Sequence, residues 1–340
     1  MKHLISIAAA CTILAIAALM LYPVWQESGS RAAGVDSLLN QDILGDGSEI
    51  ILPIPASLNL DPKKVELGEQ LFGEAQLSSN GFSCKTCHPL ESGGMDSLEK
   101  SIVNTGGFDQ MNTPTIFNVG FNSLQQWNGG TQTLEQQLDR VINNPRHMAS
   151  SWDRVIARLN DSTLYRKRFS AIYQDGVTRA NITDAITTFE RSLITPHAAF
   201  DRYLNGDANA ISAQQKKGYE LFQQYGCSSC HQGINIGGNL LAKFGIFETN
   251  HANKDPLSDY DYGRFFITRK QQDKFLFRVP SLRNVSRTAP YFHDGSVATL
   301  KQAIKTMARV QLDIDLPEPD LAAIEAFLQS LSGEYRGHKL

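Results

Sequence analysis

Apolar residues recur at helical spacing in three separate stretches of the chain. In each stretch they fall three or four residues apart, which places them on one face of an α-helix. The three sets are Leu134, Leu138, Val141 and Ile142; Ile182, Ile186, Phe189 and Leu193; and Leu321, Ile324, Leu328 and Leu331. This pattern predicts a mainly α-helical protein in which these stripes form the core.

A short sequence repeat suggests that the helices form two similar units. GEQLF at 68–72 recurs as GYELF at 218–222. Asp61-Pro62 before the first copy and Ser212 before the second are typical residues at a helix N-terminus. Each copy therefore looks like the first helix of a repeated unit.

The polar, glycine-rich stretch 233–263 has no strong period and predicts a loop. One or two short strands are expected near Phe265 to Thr268. Neither segment changes the helical fold class.

The residues that follow each copy of the repeat carry the clearest chemistry. SCKTCHPL at 83–90 and GCSSCHQG at 226–233 both contain C-x-x-C-H. Two thiols can form thioether bonds to a porphyrin, and the adjacent imidazole can ligate its iron, so this motif predicts covalently bound haem c. The residues are Cys84, Cys87 and His88 in one motif, and Cys227, Cys230 and His231 in the other. A zinc site or a redox-active cysteine pair is the alternative, although neither requires a histidine after both pairs.

Length and charge agree with two haem units. The 340 residues, with 20% charged residues and a net charge of −3, give no sign of nucleic-acid binding. We predict two tandem cytochrome c-like domains, an N-terminal one over 50–205 and a C-terminal one over 206–333.

The N-terminus predicts export. Lys2 and His3 precede a nearly continuous apolar run from Leu4 to Tyr22, which fits a signal peptide or membrane anchor within residues 1–25. Bacterial haem attachment at C-x-x-C-H takes place outside the cytoplasm, so the expected location is the periplasm, with anchoring to the inner membrane if the segment is retained. Cys11 lies inside the apolar run and is not interpreted as a lipidation site.

Three further segments resemble the bacterial dihaem cytochrome c peroxidase family, which also contains the dihaem enzyme that matures tryptophan tryptophylquinone. They are FERSLITPHAAFDRYLNGD (189–207), YGRFFITRKQQDKFLFRVPSLRNVSRTAPYFHDGS (262–296) and ATLKQAIKTMARVQL (298–312). The similarity runs from about residue 50 to 333. It implies an N-terminal haem that reacts with hydrogen peroxide and a C-terminal haem that relays electrons.

The resemblance identifies Met307, in the K-T-M-A-R context, as the second axial ligand of the C-terminal haem. A thioether favours ferrous iron and raises the reduction potential. The alternative is a core methionine. The quinone-maturing relatives carry tyrosine at this position, so methionine favours the peroxidase branch.

The N-terminal haem departs from the family pattern. Where many relatives place a second, blocking histidine ligand, this chain has Asn104. Asparagine does not hold ferric haem as imidazole does. The iron is then expected to be open to peroxide or capped by another group.

A second departure lies where the family has its catalytic glutamate, because the count from Trp127 leads to His147 in NNPRHMAS. Histidine can take and return a proton during O–O cleavage, with Arg146 stabilising the departing charge. The family glutamine is kept as Gln137. His147 has three other interpretations at this stage: an iron ligand, an uninvolved surface residue, or a neighbour of the true match if the count from Trp127 is off by one residue.

The resemblance assigns two further features. Trp127, in QQWNGG, matches the residue through which the two haems exchange electrons, although burial alone would also explain a tryptophan. An interdomain calcium ion is expected at Asn112, Thr288 and Pro290, because oxygen ligands suit calcium. For Asn112 alone, a turn before Thr113-Pro114 is the simpler explanation.

The predicted function is therefore reduction of hydrogen peroxide to water by a dihaem cytochrome c peroxidase. The expected electron donor is a small cytochrome c or a cupredoxin, and the protein could form a homodimer. The alternatives are a dihaem oxidase that modifies a partner protein or organic substrate through a ferryl state, and a pure electron-transfer cytochrome.

Overall fold

The computed structural model of the chain describes residues 50–247 and 257–340. The predicted signal or anchor segment over 1–25, with Cys11, lies outside these residues. Within the described ranges, no helix combines the length and apolar character that a bilayer span requires.

The described residues are mainly helical, as predicted. The first six helices are α1 (Pro62–Phe72), α2 (Cys84–Cys87), α3 (Leu134–Asn143), α4 (Trp152–Asp161), α5 (Thr163–Ser170) and α6 (Arg179–Ser192). The next five are α7 (Ala199–Leu204), α8 (Ala213–Gln224), α9 (Phe265–Thr268), α10 (Leu300–Leu312) and α11 (Glu318–Gln329).

Two small antiparallel sheets complete the fold. Strands β1 (Leu241–Lys243) and β2 (Leu276–Arg278) pair with Leu241 opposite Arg278. Strands β3 (Glu334–Tyr335) and β4 (His338–Lys339) form a hairpin near the C-terminus.

Both predicted helix starts are confirmed. The Asp61 carboxylate accepts the Lys63 N–H at 2.9 Å, with Pro62 in the first turn of α1. The Ser212 hydroxyl accepts the Gln215 N–H at 3.2 Å, and the Gln215 side chain accepts the Ser212 N–H at 2.8 Å, which forms a capping box. These caps set where each repeat helix begins.

The repeated glycine allows one close helix contact in each half of the chain. Helix α1 packs on α6 where Gly68 meets the carbonyl of Ala185, and α8 packs on α11 where Gly218 meets the carbonyl of Ala323. A Cβ at either glycine would overlap the facing carbonyl oxygen. The repeat therefore encodes two equivalent helix crossings.

The predicted apolar stripes are buried, apart from Val141, which is half-buried against the core. Leu138, Ile142, Ile182 and Ile186 belong to a core between α1, α3 and α6, while Leu321, Ile324 and Leu328 belong to a second core around α8 and α11. Phe189 and Leu193 join a third, smaller cluster with Phe72.

The expectation of strands near Phe265–Thr268 is wrong. These residues form the short helix α9, and the neighbouring strands are β1 and β2. Gly263, at φ 60°, and Arg269, at φ 57°, bound α9 with positive-φ turns, and 3-10 turns over Asp259–Tyr262 and Gln271–Asp273 flank it instead of strands. Strand β1 also lies inside the stretch 233–263 that we expected to be a loop throughout.

Candidate functional site: two haem-binding motifs and a polar cluster

The N-terminal cysteine motif forms a single turn. In α2, the His88 N–H donates to the carbonyl of Cys84 at 2.9 Å, which closes the turn. The His88 Nδ1 lies 3.0 Å from the carbonyl oxygen of Gly94. An Nδ1–H···O bond of this kind leaves Nε2 with its lone pair, and burial lowers the pKa of His88 and so favours the neutral imidazole.

Burial keeps the thiols of this motif protonated. It raises the pKa of Cys84 to about 12 and that of Cys87 to about 11. Redox-active C-x-x-C pairs have lowered pKa values instead. Among the described residues, neither cysteine pair gathers the three or more ligands that zinc would need.

The C-terminal motif repeats this geometry. The His231 N–H donates to the carbonyl of Cys227 at 3.0 Å, and His231 Nδ1 lies 3.4 Å from the carbonyl oxygen of Ile236. Burial lowers the pKa of His231 to about 4. The imidazole is thus neutral and oriented, as an iron ligand must be.

A large apolar cavity adjoins the C-terminal motif, and the predicted ligands line it together. Cys227, Cys230, His231 and Met307 all face this space. The cavity opens to solvent on one side. A mostly apolar space lined by two thiols, an imidazole and a thioether fits haem c.

Met307 lies on α10. Because Met307 borders the same cavity as His231, it faces the space that a haem would fill and is not enclosed in the helical core.

A polar cluster lies near the N-terminal motif. His147 Nε2 lies 3.4 Å from Asp109 Oδ2, and an Arg146 guanidinium nitrogen lies 3.3 Å from Asp109 Oδ1. Asp109 is 8% exposed, so the Arg146 guanidinium and the His147 imidazole share one buried carboxylate. The cluster is close enough to His88 that positive charge on His147 lowers the pKa of His88.

The electrostatics of His147 combine opposing effects. Burial lowers its pKa, the Asp109 carboxylate raises it and the Arg146 charge lowers it, with a net decrease. His147 is therefore neutral near pH 7, and its conjugate acid has a carboxylate at hand.

Asn104 braces the loop that carries this cluster. Its side-chain Nδ2 donates to the carbonyl of Pro145 at 2.7 Å, and its backbone N–H donates to the carbonyl of Arg146 at 3.0 Å. Asn80 Nδ2 donates to the carbonyl of His147 at 2.5 Å from the other side. The loop is held by side-chain amides on both flanks.

Asp109 is the residue of this cluster that the sequence analysis did not identify. It lies in a polar, glycine-containing loop far from His147 in the sequence, and no motif or period marks it. Only the folded chain brings them together.

Gln137 and Trp127 lie on either side of the loop that leads into α3. Gln137, on α3, accepts a hydrogen bond from the Thr131 hydroxyl at 3.3 Å. Trp127 lines the C-terminal cavity, and its indole N–H donates to the carbonyl of Asn112 at 2.9 Å. The Asn112 N–H donates in turn to the carbonyl of His293 at 2.8 Å, so Trp127 is fixed where the two halves of the chain meet.

The three residues assigned to calcium, Asn112, Thr288 and Pro290, line the C-terminal cavity. The Asn112 amide nitrogen donates to the carbonyl of Leu98 at 2.8 Å. Its side-chain oxygen is thereby available as a ligand of the hard, neutral type that calcium accepts.

Known proteins with a similar sequence include cytochrome c peroxidases. A family model described as di-haem cytochrome c peroxidase matches residues 62–209. Cytochrome c peroxidase Ccp of Escherichia coli K12 is 43% identical over 290 residues, which cover 85% of this chain and 62% of the relative. The chain thus spans less than two thirds of that relative's length.

Two further matches cover most of both chains. Cytochrome c551 peroxidase of Nitrosomonas europaea is 39% identical over 295 residues, 86% of this chain and 87% of the relative. The crystal structure of a MauG-like protein associated with microbial copper homeostasis superposes with a TM-score of 0.72 at 28% identity, over 87% of this chain and 96% of that chain.

Proposed function

Because the chain belongs to the di-haem cytochrome c peroxidase family, we propose that it reduces hydrogen peroxide to water with electrons from a small c-type cytochrome or a cupredoxin. One peroxide, two protons and two electrons give two waters. The observation that carries the proposal is the His147–Asp109–Arg146 cluster beside the N-terminal C-x-x-C-H motif. It provides proton transfer where the peroxide-reactive haem would bind.

The two haems would be held by the thiols and the neutral, oriented imidazoles of the two C-x-x-C-H motifs. Cys84 and Cys87 would attach one haem, with His88 Nε2 towards its iron. Cys227 and Cys230 would attach the other, with His231 and Met307 as axial ligands. When bound, the haems supply redox chemistry and the site at which peroxide reacts.

The protein residues would manage the protons. Neutral His147 accepts a proton from peroxide through a ring nitrogen, and Asp109 stabilises the resulting imidazolium. Returning that proton to the departing oxygen completes a water molecule, while the Arg146 guanidinium offsets negative charge on that oxygen. In the structure Nε2 of His147 faces Asp109, which supports proton transfer over iron ligation as its role.

Gln137, which the resemblance identifies as the retained family glutamine, would act at the same catalytic site. Its contact with Thr131 ties its side chain to the loop that follows Trp127.

Asn104 would brace this site instead of closing it. Its side chain is committed to the carbonyl of Pro145, and an amide is a poor ligand for ferric iron. Peroxide access to the N-terminal haem would then need no prior reduction of the protein.

Trp127 would carry electrons between the haems. Its indole is fixed by Asn112 on the N-terminal side and its backbone carbonyl accepts the Arg278 N–H at 2.7 Å on the C-terminal side. A calcium ion bound by Asn112, Thr288 and Pro290 would stabilise the same junction.

We also propose the organisation expected from the sequence: a signal or anchor within 1–25, haem domains over 50–205 and 206–333, and a periplasmic location. The two matching helix crossings at Gly68 and Gly218 support one haem domain around each.

Steady-state peroxide consumption with a reduced c-type cytochrome or cupredoxin tests the function. The holoprotein should oxidise the donor in a two-to-one ratio with peroxide. A partner-modifying oxidase or an electron-transfer cytochrome would show no such donor-dependent turnover. A His147→Ala variant with two haems per chain is the matched control, because it keeps the haems and removes the proposed proton carrier.

A further inference from the structure

Arg278 is a buried cation in the wall of the C-terminal cavity. It lies on β2 and is 5% exposed. Its Nε donates to the carbonyl of Gln126 at 3.0 Å, and its backbone N–H donates to the carbonyl of Trp127 at 2.7 Å. The side chain is therefore anchored to the segment that carries Trp127.

The charge of Arg278 has no counter-ion in the described part of the chain. One of its terminal guanidinium nitrogens, Nη1, is fully buried and makes no hydrogen bond. Burial alone lowers its pKa, to about 10, with no acidic group contributing. A buried guanidinium without an anion is strongly unfavourable, so its presence calls for a negative partner.

The cavity itself supplies no such partner. Of the described residues that line it, Arg278 is the sole Lys or Arg, and none is Asp or Glu. The anion therefore has to arrive with the molecule that fills the space. Haem carries two propionate carboxylates, and a guanidinium pairs with carboxylates by charge-assisted, often bidentate hydrogen bonds.

We propose that Arg278 is the propionate-binding residue of the C-terminal haem and that it ties this haem to the Trp127 segment. The inference rests on the proposed function because both need haem in this cavity. Unlike that function, it makes a claim about charge at the haem and not about peroxide.

The ion pair between Arg278 and a haem propionate should raise the reduction potential of the C-terminal haem. A positive charge close to the haem favours the ferrous state, which carries one positive charge fewer than the ferric state. Arg278→Gln removes the charge while keeping a hydrogen-bonding side chain. It should shift the reduction equilibrium of the His231/Met307 haem about tenfold towards the ferric state, about 59 mV for one electron. Arg278→Lys keeps the positive charge and should therefore retain most of the wild-type potential.

Arg264→Gln is the matched control. Arg264 donates to the carbonyls of Asn128 and Gly129 at 3.4 and 2.8 Å in the same region, but it does not line the cavity. Spectroelectrochemical titration of the purified holoproteins should show less than a twofold shift for this variant. Equal shifts for the Arg264 and Arg278 variants would overturn the proposal, as would equal shifts for Arg278→Gln and Arg278→Lys.

A second measurement keeps the test decisive if Arg278→Gln fails to fold or to retain haem. The resonance Raman propionate-bending bands of the wild-type holoprotein should change in Arg278→Lys, because an ammonium replaces a bidentate guanidinium. Unchanged bands would overturn the proposal. Because neither readout involves peroxide, loss of turnover with an intact potential shift would count against the proposed function alone.

Discussion

His147 Nε2 faces the buried carboxylate of Asp109 at 3.4 Å, in a loop beside the N-terminal haem-binding motif. The same carboxylate holds Arg146. Where the resemblance implies a glutamate, this chain has a histidine with its own acidic partner. The proposed proton transfer would therefore involve two side chains.

Replacement of His147 tests the proton-transfer role. His147→Ala should keep haem content intact and slow the reaction with peroxide by about 10²–10⁴-fold, the usual contribution of a positioned acid–base group. His147→Glu should recover part of the loss. Stopped-flow absorbance after mixing with peroxide measures both rates.

The opposite result identifies His147 as an iron ligand. In that case His147→Ala would abolish a low-spin bis-imidazole signal and increase peroxide reactivity, because a coordination site would open. An alanine variant that behaves like the wild type would contradict both roles.

The neighbours of His147 should shift its pH profile in opposite directions. The reaction needs neutral His147, whose pKa already lies below its ordinary value because burial outweighs Asp109, so the rate should fall only as the pH drops into the acid range. Asp109→Asn removes the effect that raises this pKa and should move the acid limb to lower pH. Arg146→Gln removes one that lowers it and should move the limb to higher pH. Peroxide reaction rates over a pH series measure the shifts, and parallel shifts in the two variants would argue against the cluster.

Asn104 predicts that the oxidised protein is active as isolated. With its side chain bound to the carbonyl of Pro145, Asn104 would leave the N-terminal haem iron without the blocking imidazole that the resemblance implies for many relatives. The diferric protein should react with peroxide without a lag. A strict lag until one haem is reduced would show that another ligand closes the iron.

Met307 predicts a high-potential C-terminal haem. Met307→His should lower the potential of that haem, since a nitrogen ligand favours ferric iron more than a thioether does. The variant should still contain two haems per chain by pyridine haemochrome assay. An unchanged potential would place Met307 off the iron.

Features encoded by neighbouring residues were predictable from the sequence. Cys84, Cys87 and His88 fall within one turn, so their spacing alone indicates haem attachment, and the caps at Asp61 and Ser212 are equally local. The buried helix faces were predictable for the same reason, because the helical period of the apolar residues defines each face.

Features formed by distant residues were not predictable in this way. Asp109 meets His147, and Arg278 meets the carbonyls of Gln126 and Trp127, only after the chain has folded. The position of the short strands was not predicted correctly for a related reason. Strand β2 is defined by its pairing with β1 and not by its own sequence pattern. A single buried ion has no sequence period at all.

The repeated glycines give a last prediction, on stability. Gly68→Ala should push α1 away from the carbonyl of Ala185, and Gly218→Ala should push α8 away from that of Ala323, because the new Cβ would overlap each oxygen. Overpacking of this kind costs about 1–3 kcal/mol of unfolding free energy or more. Gly73→Ala is the control: the nearest atoms to its Cβ lie 3.7 Å away and its φ of −87° suits alanine. The midpoint of thermal unfolding should fall clearly for the Gly68→Ala and Gly218→Ala holoproteins and stay near the wild-type value for Gly73→Ala. Equal midpoints for the three variants would mean that the helix crossings tolerate a side chain.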